Sequence, residues 1–571
     1  MSEATPVPDA PAARPWLSAY ADGVPAEIDP VTETLPEMLA AAVARFGRAP
    51  ALDFFGATTT YAELGDQVAR AARGLRRLGV GPGDRVAIAL PNCPQHVVAF
   101  YAALRLGAVV VEHNPLYTAR ELRHQFEVHG ATAAVVWDKV ADTIAALPAD
   151  IRPERIISVR VTDAMPLGKR LALRLPLAKA RSARAALTAR PTAKGILAWS
   201  DVADGRRLRS SVPGPGLDDT AVLQLTSGTT GRPKAAILSH RNLRSNAAQS
   251  IAWVPALRPG GETFYAVLPL FHAYGLTLCL TSAVSVGARI VLLPKPDVSL
   301  VLDAARTAPP TFLPAVPPFY EGLAREAARR GVDLSGIRFA ISGAMSLPVS
   351  TVARWEEATG GLLVEGYGMT EASPIVLGNP MGPTRRPGTV GVPFPSTEIR
   401  VVDPDDPTVD VPPGEQGELL LRGPQVFQGY WNRPLETAET LLEGGWLRSG
   451  DLVTVAPDGF VTIVDRRKEL IITGGFNVSP SEVEGVLVSH PDVADAAVVG
   501  LPRPAGGEDV VAVIVLREGA AASPDAVREF CRSHLAAYKV PKRIVVRDDL
   551  PRSLIGKVLR RVVREDLMAA S

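Results

Sequence analysis

Small hydroxylated residues and glycines crowd one stretch of the chain: Thr226, Ser227, Gly228, Thr229, Thr230 and Gly231, with Lys234 within reach of the same turn. These side chains carry too little apolar surface to form core. Glycines let a backbone turn its N–H groups inward and the hydroxyls add donors, so the run can cradle phosphate. It is not a Walker A loop, G-x-x-x-x-G-K-[ST], because Ala235 follows Lys234. Phosphate chemistry therefore needs partners elsewhere in the chain. His272 stands in FHAYG, Tyr367, Thr370 and Glu371 in EGYGMTEAS, and Asp451 in WLRSGDL. Arg466 and Lys468 open DRRKELIITGGFNV, and Lys557 follows Gly556 in LIGKVLRR. Each alone has a plain structural explanation: a packed histidine, a turn, a solvated charge.

The elements that must hold these residues alternate between strand and helix. RVAIALPN reads as strand, QHVVAFYAALRLGA as helix and VVVEHN as strand. TARELRHQFEVHG reads as a helix capped by Thr118 and closed at Gly130, and TAAVVWD as strand again. This succession predicts a parallel sheet covered by helices, with ligands at the carboxyl ends of its strands. TAVLQL runs as a strand into Thr226, and GIRFAISGAMSLP repeats the arrangement up to Gly343 and Ala344. From about Thr389 the chain turns to short β-rich runs between Pro, Gly and Asp turns, as in a barrel or meander. Beyond Asp465 a small α+β unit is expected. The fold class is thus α/β: a large N-terminal domain with doubly wound sheets and a β-barrel-like part, then a small α+β domain.

Bulk properties narrow the function. The chain's 571 residues exceed what one core can organise, and its net charge of +1 gives no reason to expect a nucleic-acid partner. The three cysteines, Cys93, Cys279 and Cys531, lie far apart, against a disulfide framework or thiolate metal site. MSEATPVPDAPAARP has no apolar core of a secretory signal, so residues 1–30 are expected as a disordered segment of a cytoplasmic protein. Thr263–Ala288 carries no Asp, Glu, Lys or Arg, yet Pro269, His272 and Gly275 divide it. TFYAVLPLF reads as a buried strand, HAYG as a turn and LTLCLTSAVSVGA as a packed helix, rather than as one membrane span.

Together and in this order, the motifs resemble the adenylate-forming superfamily of acyl-CoA synthetases, adenylation domains and luciferases. The likeness extends from about Thr34 to Arg564, and its texture is that of the bacterial long-chain fatty-acid–CoA ligases. VVVEHNPLYTARELRHQF, GPQVFQGYWNRP and YKVPKRIVVRDDLPRSLIGKVLRR carry it alongside the motifs above. The resemblance implies ligation of a fatty acid to coenzyme A through an acyl-adenylate, using ATP and Mg²⁺. It implies an AMP-binding domain over residues 31–465 and a C-terminal lid over 466–571, hinged near Lys468. By the same likeness Thr226–Lys234 hold the β- and γ-phosphates, and Thr226 and Glu371 hold Mg²⁺. Gly343, Ala344, Gly366, Tyr367, Gly368, Met369 and Thr370 line the adenine slot and its approach. Asp451 and Arg466 meet the ribose or phosphate, and Lys557 bridges the substrate carboxylate and α-phosphate. Gly474, Gly475 and Phe476 line the pantetheine passage. His272, Tyr274 and Leu276 gate an acyl tunnel kept open by Gly366 and Gly368.

Transfer to a carrier-protein thiol is the near alternative, disfavoured because no carrier domain is attached. A luciferase-like oxygenase shares the motifs, and a non-catalytic lipid-binding protein on a ligase scaffold is the reading from another class. The joint presence of Lys234, Glu371, Asp451, Arg466 and Lys557 argues against the last. One segment stands apart. Met165–Lys194 holds Lys169, Arg170, Arg174, Lys179, Arg181, Arg184, Arg190 and Lys194 with no acidic residue, interleaved with Leu167, Leu171, Leu175 and Leu177. It is either a solvated excursion or a peripheral contact with the inner membrane face. The sequence leaves the oligomeric state open, a homodimer being one candidate.

Overall fold

The computed structural model describes residues 14–226, 233–473, 476–503, 508–553 and 556–570. These fall into two compact units. One comprises Leu17–Glu398 and Leu421–Leu447; the other takes the described parts of Met1–Trp16, Ile399–Leu420 and Arg448–Ser571.

The larger unit is built on two mixed sheets. In the seven-stranded sheet the strands run in the order Leu197–Ala198, Arg155–Val159, Ala133–Trp137, Arg85–Ala89, Val109–Glu112, Thr220–Thr226 and Lys234–Ser239. All neighbours are parallel except the last pair. The nine-stranded sheet has a parallel centre, from Leu362–Gly368 through Phe339–Ser342, Phe312–Ala315, Thr263–Ala266 and Arg289–Leu292 to Pro50–Phe54. The α/β reading of the sequence holds. Thr118 accepts the N–H of Glu121 as N-cap, and Gly130 closes the helix Ala119–His129 with φ of 57°. The helix Pro94–Arg105 is buried along almost its whole length, as a helix apolar on all sides must be. It brings His96 to Glu112 at 3.1 Å with both side chains fully enclosed.

The smaller unit combines a four-stranded sheet, ending in Leu447–Val455 and Val461–Arg466, with a three-stranded sheet of Val493–Pro502, Glu508–Leu516 and Arg543–Val546. Alternation decides its layers. Ala496 and Val498 face the core under the helices Pro480–Ser489 and Pro524–His534. Ala497 and Val499 face Val563 and Leu567 of the helix Arg560–Ala569.

Three expectations need correction. Residues 14–30 are not a disordered tail: Trp16 is buried where Gly459 lacks a Cβ, and Tyr20 donates to the Pro393 carbonyl at 2.7 Å. Two aromatic anchors outweigh the polar, proline-rich composition. The strand expected over TFYAVLPLF stops at Ala266, because Pro269 has no N–H and Asn92 takes the Ala266 and Leu268 carbonyls. HAYG is a helical turn, Ala273–Gly275, continuing into the π-helix Leu276–Thr281. No helix among the described residues is long and apolar enough to cross a membrane.

Midway along the strand Leu362–Gly368, Glu365 is buried, and desolvation pushes its carboxyl up to about 8 against the pull of the Leu347 N–H. The folded chain therefore keeps a proton that the unfolded chain releases near 4.5. Stability from this group is full at low pH and is lost as pH rises from about 4.5 to 8. Glu365→Gln is expected to flatten that fall. Melting temperatures across the window check it, and parallel curves for both proteins would contradict it.

Candidate active site

The expected residues divide between the two units. In the larger one, Thr226 ends one strand, Lys234 begins the next, and they are register partners in an antiparallel pair. The glycine-rich run joins these two strands in the chain. Ser227, Gly228, Thr229, Thr230 and Gly231 lie outside the described residues. Beside this pair of strands the segment Gln428–Trp431 adds as a further edge. The Ile237 N–H donates to the Gly429 carbonyl at 2.9 Å, and the Trp431 N–H to that of Ala235 at 2.8 Å.

That edge delivers Tyr430, a residue the motif reading missed. Its ring centroid lies 4.8 Å from the Lys234 Nζ, and its hydroxyl donates to Glu371 Oε1 at 2.6 Å. Burial and the neighbouring carboxylate hold the phenol well above its usual range, so it remains a donor. The Phe427 N–H fixes the Glu371 backbone carbonyl at 2.8 Å. Cation, ring and carboxylate thus form one row. The only sequence signal was GPQVFQGYWNRP, and nothing local in it points to a partner 59 residues away.

Around this row the strand ends are tightly specified. A register shift between Tyr367 and Gly368 turns the chain, and the Met369 N–H closes on the Pro374 carbonyl at 2.9 Å. Thr370 opens the single helical turn that carries Glu371. A Cβ on Gly368 would sit 1.9 Å from the Pro374 oxygen, so this glycine serves backbone packing and not an open tunnel. At Gly366 a Cβ would meet Ile341 Cγ2 at 3.4 Å and the Leu377 and Ser342 carbonyls at 3.7 and 3.9 Å, all ordinary contacts, so this is the position with room. Ala344 adopts φ of 66°, the left-handed region that costs an alanine about 1 kcal/mol or more and clusters at ligand sites. Gly343 lies against Tyr274, where an added Cβ would come within 3.0 Å of the ring.

The expected gate residues differ in freedom. The Tyr274 hydroxyl donates to the Ile341 carbonyl at 2.7 Å, which makes the ring a fixed wall. Leu276 is fully buried. His272 is half-buried, and its Nδ1 accepts the Tyr274 N–H at 3.2 Å. Desolvation pushes its imidazole down to about 4, leaving it neutral at pH 7. The Gln224 amide donates to the Phe271 carbonyl at 2.8 Å, tying this turn to the strand that ends in Thr226.

In the smaller unit, Asp451 and Arg466 are register partners, and the Arg466 Nε donates to Asp451 Oδ1 at 3.1 Å. Lys557 sits on a tight hairpin closed by the bridge between Arg552 and Val558, with Gly556 at φ of 80°. Burial, then Arg466 and Arg560, lower its ammonium to about 8, while Glu469 and Asp451 oppose the shift. Arg560 forks onto Glu484 at 2.9 and 2.5 Å and pairs with Glu469. Lys468 is exposed between anchored neighbours, Arg467 on Asp405 at 2.8 Å and Glu469 on Arg560. Gly474 and Gly475 lie outside the described residues; the backbone of Phe476 pairs with Thr473.

Such a set, a carboxylate paired with an arginine and a lysine of lowered pKa, suits nucleotide chemistry at a carboxylic acid. Known proteins agree with it. Residues 39–431 match the AMP-binding enzyme family, and residues 482–557 match the AMP-binding enzyme C-terminal domain. The chain belongs to the AMP-binding enzyme family. A long-chain-fatty-acid–CoA ligase of Bacillus subtilis is 36% identical over 97% of this chain and 98% of its own length. A feruloyl-CoA synthase of an Amycolatopsis species is 37% identical over 89% of the chain and 94% of its own. Among solved structures, ATP-bound MatB from Rhodopseudomonas palustris superposes with a TM-score of 0.78 at 30% identity, covering 94% of this chain and 99% of its own. Anthranilate CoA ligase AuaEII with anthranoyl-AMP gives 0.80 at 26% identity, over 95% and 99%. Within the AMP-binding family this chain is an acyl-CoA synthetase, with a reaction that passes through an acyl-adenylate.

Two outcomes follow for this synthetase. Tyr430→Phe keeps the ring over Lys234 and removes one hydrogen bond to a charged group, worth about 1.5–3 kcal/mol, so adenylation should slow roughly 10- to 150-fold without loss of fold. Pyrophosphate exchange reads this, and an unchanged rate would mean Glu371 is held without the phenol. Because the Lys557 ammonium titrates near 8, its charge is lost as pH rises through that value. Adenylation should fall correspondingly, and in Lys557→Arg, whatever its absolute rate, the fall should move out of the range. An identical limb in both proteins would assign it to another group.

Proposed function

We propose that the protein ligates a medium- to long-chain fatty acid to coenzyme A in the cytoplasm. The carboxylate attacks the α-phosphorus of ATP, pyrophosphate departs, and the CoA thiol then attacks the acyl carbonyl of the adenylate and expels AMP. The observation that carries this reading is the gathering of Asp451, Arg466 and Lys557 around one point of the smaller unit, with Lys557 charged at neutral pH yet half-desolvated.

The roles follow from chemistry. The substrate carboxylate and the polyphosphate repel each other, and Lys557 supplies a positive charge where negative charge develops, an effect worth about 3–4 kcal/mol for one donor. Asp451 accepts from ribose hydroxyls, and Arg466 orients it. Lys234 and the run from Ser227 to Gly231 receive the departing pyrophosphate. Thr226 and Glu371 offer one hydroxyl and one carboxylate, hard oxygen donors that suit Mg²⁺ completed by water and phosphate oxygens. When bound, the ion would neutralise pyrophosphate charge. Gly366 and Leu276 line the apolar acyl site, and neutral His272 puts no charge at its mouth.

For the second step the reading has the segment beyond Lys468 rotate, withdrawing Lys557 and presenting Gly474, Gly475 and Phe476 to the pantetheine arm. The contacts that would part bridge Lys468 in the chain: the Ser481 N–H on Asp465 at 3.0 Å, and Arg560 on Asp465 at 3.7 Å.

The feruloyl-CoA synthase likeness supports one competing reading, an aromatic acid as substrate. AMP release with ATP·Mg²⁺, CoA and a ladder of fatty acids beside ferulate and benzoate separates the two. The proposal expects CoA-dependent turnover that climbs with chain length, since each buried methylene contributes about 0.8 kcal/mol. Preference for the aromatic acids would overturn the fatty substrate. An adenylate that CoA cannot discharge would overturn the acceptor in favour of a carrier protein.

A further inference from the structure

The main chain that carries the gate residues His272, Tyr274 and Leu276 leaves the strand Thr263–Ala266 and ends in the π-helix Leu276–Thr281, a rare form that collects at functional sites. From Val267 to His272 it belongs to neither strand nor helix, and side chains from other elements hold it. Three residues beyond the strand Arg85–Ala89, Asn92 donates to the Ala266 and Leu268 carbonyls and accepts the Leu270 N–H, each at 2.8 Å. Gln224 donates to the Phe271 carbonyl at 2.8 Å, and its own strand ends two residues later in Thr226. On the far side of the gate the Thr277 hydroxyl donates at 2.6 Å to the carbonyl of Ser373, two residues past Glu371.

The gate is thus tied at one end to the strand of Thr226 and at the other to the turn of Glu371. Asn92, Gln224 and Thr277 are 3, 3 and 0% exposed, so each acts through the backbone it holds. The Gln224 Oε1 is buried with no hydrogen-bond partner among the described residues, a cost that a leucine would avoid. What the amide supplies in return is the bond to Phe271. The turn also packs on itself, since a Cβ on Gly275 would lie 2.1 Å from the Pro269 oxygen.

We propose that Gln224 and Thr277 are positioning residues of the adenylation step: they hold the acyl gate in fixed register with Thr226 and Glu371, so that the acid's carboxylate meets the α-phosphorus at attacking distance. This role rests on the functional reading above, whose failure would show in the parent protein itself. Adenylation joins two separate substrates, and a misplacement of about 1 Å between their sites costs about 10²-fold. The second half-reaction has no such requirement, because a covalent bond already joins the acyl group to the phosphate in the adenylate. A residue that only supports the fold would affect both steps alike.

The test measures two rates for each variant of the full chain. One is pyrophosphate exchange with ATP·Mg²⁺ and the acid that the parent turns over fastest; the other is thioester formation from that acid's supplied acyl-AMP with CoA. Thr277→Val and Gln224→Met each remove a donor and keep a similar shape. Each should lower kcat for adenylation about 10- to 100-fold with little change in KM for ATP, and should spare thioester formation. Thr277→Ser keeps the hydroxyl and should stay near the parent. Thr281→Val removes a hydroxyl that is equally buried but bonds within its own helix, to the Thr277 carbonyl at 3.3 Å, and should match the parent in both rates. Equal loss in both half-reactions would overturn the proposal. So would adenylation unchanged in Thr277→Val and Gln224→Met, or a loss as large in Thr281→Val. A parent that forms no adenylate with any fatty or aromatic acid would overturn the functional reading, and this role with it.

Discussion

Repulsion between a carboxylate and a polyphosphate is the constraint that organises this molecule. Two unit charges of like sign about 4 Å apart cost about 4 kcal/mol near a protein surface, and a triphosphate multiplies the problem. Under the proposed function, cations must therefore be held where water would otherwise screen the substrates. Backbone register does this holding. Lys234 is fixed opposite Thr226 and Arg466 opposite Asp451, each across an antiparallel pair, so neither depends on a long side chain finding its place. Tyr430 extends the device by giving Lys234 an aromatic face and Glu371 a donor at once.

Lys557 is held differently. Its hairpin turns on Gly556 and is ringed by Arg466, Glu469, Asp451 and Arg560, a mixture of signs that leaves the ammonium poised near neutrality rather than locked in an ion pair. Arg560, three residues on, is by contrast fully engaged with Glu484 and Glu469. The structural load falls on the arginine and the lysine stays available.

Much of this architecture was legible in the sequence because local rules set it. Alternating apolar runs gave the parallel strands, and Thr118 and Gly130 marked the ends of one helix with a cap and a left-handed turn. The motif residues could be named because small and hydroxylated residues cluster where the apolar strand runs end. What escaped depends on distant partners. Tyr430 acquires meaning only when its segment adds to the strand Lys234–Ser239, and Trp16 becomes an anchor only beside Gly459. Gly368 looked like open space but is filled by the Pro374 carbonyl, and the left-handed φ of Ala344 has no signature in a residue type that rarely adopts it. Nothing local in the sequence singles out Glu365, whose carboxyl is pushed up by burial.

The central claim is that one mobile lysine serves the first half-reaction and not the second. The direct test is Lys557→Ala, assayed once for pyrophosphate exchange with ATP and fatty acid, and once for thioester formation from supplied acyl-AMP and CoA. The account predicts that exchange falls by about 10²–10³-fold or more while thioester formation from the supplied adenylate is largely spared. Equal loss in both assays would contradict it, and would make Lys557 a residue of the static site rather than of a segment that comes and goes.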